Sequence, residues 1–167
     1  MNIDQYIKAL QRVDVVKLAR LKQIIELHQD IAILGNGGSN SIASHISQDY
    51  TKQLKKRAFS FSDPSRLTCY INDYGMENAY VQFLKEFATQ ETLAILITSS
   101  GESDNIYNAA TFCRDNQIPF ILLTGFDKNN RTREFRSEDS ELDFWVDSHD
   151  YGVVECTHQT ILHTVIS

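Results

Sequence analysis

Two short segments concentrate backbone and hydroxyl donors. Gly35-Asn36-Gly37-Gly38-Ser39 follows an apolar run and precedes a helical pattern. Glycines permit a tight turn and bring bare N–H groups against a ligand, and a helix N-terminus favours an anion. The spacing is that of neither a G-x-G-x-x-G dinucleotide fingerprint nor a P-loop, in which Gly-Lys-Ser/Thr would follow. Taken alone, the segment reads equally as a plain glycine-rich turn. Thr98-Ser99-Ser100-Gly101-Glu102-Ser103 also follows an apolar run and precedes a helix. A helix cap at Ser100 or Ser103 uses one hydroxyl. Four hydroxyls in the segment exceed that need and suit a phosphate monoester, whose oxygens accept several donors at once.

A third group offers acid–base or metal chemistry. His45 and Asp49 lie four apart on a predicted helix, so they share a face and could chelate one ion. Glu155 and His163 lie on the C-terminal helix, where eight residues span about 12 Å. Both reach one ion only if Glu155 precedes the helix, the helix bends, or subunits share the site. His158 competes for either role. A lone surface histidine is more often merely solvated.

The elements that must position these residues follow from periodicity. Ile3, Ile7 and Leu10, then Val15, Leu18, Leu21 and Ile25, recur at helical spacing, with Asp14 a candidate cap for a second helix. Ile31 to Leu34, Ala58 to Phe61, Leu67 to Ile71, Leu93 to Ile97, Phe120 to Leu123 and Phe144 to Val146 read as strands. Helices are expected over 40–55, Met76 to Thr89, Asn105 to Asn116, and from Val153 to Ser167. Strands apolar on both faces that alternate with helices predict an α/β fold, a parallel sheet covered on both sides. Ligands bind such sheets at the strands' carboxyl ends, where both donor-rich segments fall. The polar stretch from Lys128 to Glu141 reads as a solvated loop rather than a substrate lid.

The chain has 167 residues, with 16 basic and 22 acidic side chains and a net charge of −6. That length predicts one domain, with an N-terminal helical segment over 1–29 and a core over 30–167. The acidic balance argues against nucleic acid as a partner. The longest apolar runs fall far short of the ~20 residues that span a membrane, and the N-terminus lacks a signal-peptide layout. Three widely spaced cysteines, Cys69, Cys113 and Cys156, form neither a zinc-finger pattern nor a disulfide framework. They are expected to be small buried apolar residues of a cytoplasmic protein.

GNGGS before a helix bearing His45, then Asn72-Asp73-Tyr74-Gly75, then SSGES, then Glu155 and His163 on a terminal helix, together resemble the sugar isomerase (SIS) domain family. Within it they are most similar to the phosphoheptose isomerase branch. The resemblance runs from about Asp30 to the end. It implies a three-layer αβα sandwich and aldose–ketose isomerisation of a sugar phosphate, sedoheptulose 7-phosphate to D-glycero-D-manno-heptose 7-phosphate. It implies a substrate site at Asn36, Gly37, Gly38, Ser39, Asp73, Thr98, Ser99, Ser100 and Ser103, with Ser99 contributing its backbone N–H. It further implies zinc at His45, Asp49, Glu155 and His163, with Asp49 and His163 as the proton-transferring pair, and a homotetramer.

The chain departs from this pattern. Asp49 stands where the branch has Glu, and ~1 Å of lost reach can cost about 100-fold in rate. Glu155 stands for Gln, Glu102 for Asn, and Gln53 for a basic residue, with Lys52 and Lys55 nearby. The N-terminal helices are shorter than usual. Two rivals share the fold: a non-catalytic partner module of the kind that assists a replication initiator, and a sugar-phosphate-sensing regulator. The regulator would need a DNA-binding domain for which thirty residues are too few.

Overall fold

The computed structural model describes residues 2–136 and 139–166. Seven α-helices and five strands are present among them: α1 Ile3–Gln11, α2 Val15–Leu27, β1 Asp30–Gly35, α3 Gly38–Leu54, β2 Arg57–Ser60, α4 Pro64–Tyr74, α5 Ala79–Phe87, β3 Thr92–Thr98, α6 Asp104–Asp115, β4 Phe120–Thr124, β5 Leu142–Trp145 and α7 Tyr151–His163. All strands are parallel, in the order β2-β1-β3-β4-β5.

Successive strand residues point to opposite faces, so one apolar strand feeds two cores. Ile31, Ile33, Leu93, Ile95, Ile97, Ile121 and Leu123 pack with α2, α3 and α7. Their alternates Ala32, Leu34, Ala94, Leu96, Phe120 and Leu122 pack with α5 and α6. The result is the expected αβα sandwich. Small residues on both surfaces of the second interface, Ala32 and Ala94 against Ala109 and Ala110, leave room there for Phe61, Tyr80 and Phe83. No described helix is long and apolar enough to cross a membrane.

Local chemistry explains most boundaries. Asp14 caps α2 by accepting from Val16 and Lys17 N–H, as its position suggested. Leu67 to Ile71, expected as a strand, is instead the middle of α4. Asp63 accepts from Arg66 N–H at the N-cap and Pro64 occupies the first turn, a start signal that outweighs a short apolar run. The stretch from Lys128 is a solvated loop only in part, with Lys128, Asn129, Glu134 and Arg136 exposed. Arg131–Phe135 forms a 3-10 helix with Thr132, Arg133 and Phe135 buried, and Arg133 pairs with Asp143 at 2.8 Å. Part of that stretch, and Ser167, fall outside the described residues. Cys113 is buried as expected, whereas Cys69 is exposed and Cys156 only partly covered.

α3 and α7 lie side by side and run the same way, since each follows a parallel strand. Tyr50, fully buried on α3, donates its hydroxyl to the Leu162 carbonyl at 2.9 Å. That carbonyl belongs to the last turn of α7, where helical partners run out. Burial pushes the Tyr50 phenol well above its ordinary pKa and keeps it a neutral donor. Tyr50→Phe is therefore expected to cost about 1–2 kcal/mol by leaving a buried carbonyl unpaired. Calorimetry should show a fall in Tm of a few degrees.

Candidate functional site

The strand order reverses between β1 and β3, where Gly35 stands beside Ile97. The loops that leave these two strands therefore part to opposite faces and open a crevice. They are the two donor-rich segments. The cleft between them holds about 230 Å³, walled by residues 36–39 on one side and by Thr98, Ser99, Ser100 and Ser103 on the other; Tyr151 and Glu155 of α7 complete it. The N-termini of α3 and α6 both open here, so backbone N–H groups and helix dipoles favour an anion.

Polar contacts decide which groups remain for a ligand. Asn36 and Asn105 each donate an amide hydrogen to the other's Oδ1 at 2.8 Å. Tyr80 reaches Asn36 Oδ1 at 3.2 Å and also the Gly35 carbonyl. The Asn36 side chain is thus largely a brace. Thr98 Oγ1 accepts from Gly101 N–H, and Ser100 Oγ from Glu102 N–H, each at 3.2 Å. Both hydroxyls keep their own hydrogen to donate. Ser103 occupies the N-cap of α6 yet makes no side-chain capping bond, so the hydroxyls are not spent on capping. Ser39 and Ser99 are almost fully buried, and Ser99 Oγ has no partner among the described residues.

Two carboxylates lie close by. Glu155 presses against Gly38 so tightly that any Cβ there would collide with its carboxylate. Burial raises the Glu155 carboxyl above its usual range. Glu102 is exposed and turns away, its Oε1 accepting from Arg131 N–H at 2.9 Å.

The second constellation lies further along α3. His45 Nε2 and His163 Nε2 each stand 3.4 Å from the same Asp49 Oδ2, and the two rings meet edge to face at 5.2 Å. All three ligand atoms lie within 4.8 Å of one another. Two imidazoles and a carboxylate are a donor set that suits zinc, and three protein ligands leave a position open. Glu155 is not brought to this cluster within one chain. It sits two helical turns from His163, and the rise along α7 keeps it in the cleft. Asp73 is also apart, exposed on the last turn of α4, where Asn72 and Cys69 hydrogen-bond to it. A shallow groove runs along the exposed side of α3, lined by Gly37, Asn40, Ser41, Ser44, His45, Gln48 and Ser62.

Tyr80, Asn105 and Tyr151 were not among the residues expected from the sequence. Tyr80 and Asn105 read as core positions of amphipathic helices, and only the fold aims them at Asn36.

No protein-family model matches the chain; kinship is carried by individual proteins. Phosphoheptose isomerase of Fusobacterium nucleatum is 28% identical over 162 residues, covering 93% of this chain and 81% of that protein. That of Cytophaga hutchinsonii is 31% identical over 98 residues, 56% of this chain and about half (51%) of that protein. The structure of phosphoheptose isomerase from Neisseria gonorrhoeae superimposes with a TM-score of 0.89 over 98% of this chain and 92% of that one, at 21% identity. The fold, with its cleft at the switch point, is that of the phosphoheptose isomerase structure it superimposes on. In sequence the chain is similar to phosphoheptose isomerases, at 28% and 31% identity to the two named.

His158, the competing histidine, joins neither group. It is wholly buried and donates from Nε2 to the Thr124 carbonyl at 3.0 Å. Desolvation pushes its pKa down to about 4, from an ordinary 6.5. The unfolded chain therefore binds the proton first as pH falls, and the folded state loses stability from about pH 6.5 down to about pH 4. Denaturant unfolding across that window should show His158→Gln with a flatter pH profile than the wild type, by about 3 kcal/mol.

Proposed function

We propose that the chain is an aldose–ketose isomerase that converts sedoheptulose 7-phosphate to the heptose 7-phosphate aldose. The observation that carries this reading is the convergence of Asp49 and His163 at 3.4 Å, on the two helices, α3 and α7, that also line the anion cleft. From Gly38 to Asp49 the helix rises about 16 Å, which sets the distance between the anion cleft and the acid–base pair.

In this reading the phosphate sits in the cleft, held by backbone N–H groups of 37–39 and the hydroxyls of Thr98, Ser100 and Ser103. Anchoring it there supplies binding energy to orient distant carbons. At the other end Asp49 and His163 form the acid–base pair. One takes the proton from C1 while the carbonyl oxygen at C2 is protonated, giving the enediol. The proton on O1 then leaves and C2 is protonated, giving the aldehyde at C1. Each such transfer contributes about 10²–10⁴-fold.

His45, Asp49 and His163 also fit a zinc ion, which when bound supplies Lewis-acid polarisation of a carbonyl. Such an ion would be held by the same side chains that form the acid–base pair. A purely phosphosugar-binding or partner-binding module would need the cleft but not this pairing.

The His45 side chain is 46% exposed, and proton transfer profits from a site closed to water. Ile3, Ile7, Val15, Val16 and Leu27 are exposed on the N-terminal helices. Both observations support a homo-oligomer, a tetramer in this reading, in which a second copy closes the groove. Three free thiols suit a cytoplasmic setting.

Proton NMR of sedoheptulose 7-phosphate with protein and zinc in heavy water is expected to show aldose product and deuterium beside the carbonyl. Binding without exchange would instead leave only a binding module. His163→Ala should lower kcat at least 100-fold while phosphate binding by calorimetry holds within about twofold; equal losses in both would refute the assignment. Glu155→Gln removes a charge from the cleft and should tighten inorganic phosphate binding several-fold, since like charges in a partly desolvated site repel.

A further inference from the structure

We propose that Thr132, outside the cleft, is the positioning residue that sets the serine loop's hydroxyls for phosphate. This rests on the reading of the cleft as a phosphate site. Thr132 is fully buried, and both its N–H and its hydroxyl donate to one acceptor, the Gly101 carbonyl, at 3.0 and 2.7 Å. Gly101 is the bend of the serine loop, with φ +74. Only glycine fits: the backbone is left-handed, and a Cβ would strike the Asn130 side chain.

A trans peptide is planar, so its C=O and N–H point in opposite directions. Two donors that hold the Gly101 carbonyl toward the 3-10 helix therefore turn the Glu102 N–H the other way. That N–H donates to Ser100 Oγ at 3.2 Å. With its lone pair engaged, Ser100 turns its own hydrogen toward the cleft. The relay runs from Thr132 through one peptide plane to the hydroxyl that meets the ligand.

The relay has a firm base. Asn130, 4% exposed, donates to the Gly125 and Asp127 carbonyls at 3.1 and 2.8 Å and accepts from Arg133 N–H. Arg133 is held by Asp143 through two bonds of 3.2 and 2.8 Å. A second tie runs from Arg131 N–H to Glu102 Oε1 at 2.9 Å. It explains how a carboxylate is tolerated beside an anion cleft: its charge caps the 3-10 helix.

The test is calorimetric titration with inorganic phosphate and sedoheptulose 7-phosphate turnover, on wild type, Thr132→Val, Thr132→Ser and Glu102→Ala. Thr132→Val keeps the shape and the backbone N–H but loses the hydroxyl donor. It is expected to weaken phosphate binding about tenfold and raise KM to match, with kcat within about twofold; Thr132→Ser should restore both. A lower Tm with phosphate binding unchanged, or failure of Thr132→Ser to rescue, would overturn the proposal. Glu102→Ala, at an exposed site where folding is not at stake, discriminates further. If the ties position the loop it weakens phosphate binding, although it removes a negative charge; unchanged or tighter binding would reject the proposal. Wild-type protein that binds no phosphate would overturn the reading of the cleft and this inference with it. Wild type that binds while Thr132→Val and Glu102→Ala bind equally well would sink this inference alone.

Discussion

The contact between α3 and α7 is what the rest of the site depends on. Parallel strands force both helices to start at the same edge of the sheet and run back across the same face. Once they touch, pairs of residues meet at intervals along the seam: Gly38 with Glu155 near the start, Tyr50 with Leu162 and Asp49 with His163 near the end. One seam thus holds the Gly38–Glu155 contact at the cleft and the His45–Asp49–His163 cluster at a fixed separation. No loop intervenes between them, so the distance is as rigid as the helices. Rigid elements are better suited than loops to hold reacting groups at a set geometry.

The same seam shows what could be read from the chain in advance. Short continuous apolar runs located β1, β3 and β4, because burial of both strand faces leaves no polar alternation. His45 with Asp49 was legible for a similar reason, since spacing on one helix maps directly to a shared face. Their meeting with His163 was not legible from spacing, as it depends on how two helices distant in sequence are aligned. The resemblance to known isomerases supplied that pairing, whereas the helical rise alone already set Glu155 about 12 Å from His163. Leu67 to Ile71 misled because five apolar-rich residues fit either period, and the deciding signal, Asp63-Pro64, lay outside the run. Thr132 was invisible for a different reason. It sits in a stretch whose composition is that of a surface loop, yet the fold buries it completely.

Hydroxyl-rich loops at helix N-termini face a competition that this protein resolves in a particular way. Ser and Thr side chains readily bond to their own backbone, which would spend the donors a ligand needs. Here Thr98 and Ser100 act as acceptors toward the loop and remain donors toward the cleft. The internal bonds and the ligand bonds therefore use different parts of the same hydroxyl. Asn36 is the opposite case, its amide largely consumed by Asn105 and Tyr80 to fix the turn.

The order of the strands carries a consequence for synthesis. β1 lies at the switch point, with β2 on one side and β3 on the other, and its first β3 partner is Thr92, opposite Asp30. During translation β1 and β2 can pair through α3 alone, while the other edge of β1 stays open until some sixty further residues have emerged. Non-local parallel pairings of this kind form late. Through that interval Ile31, Ile33 and Leu34, later wholly enclosed, sit on an unpaired strand edge of the kind that recruits other chains. The nascent chain is thus most exposed to aggregation before Thr92 to Thr98 has cleared the ribosome, and a chain truncated in α4 or α5 would keep that vulnerability permanently.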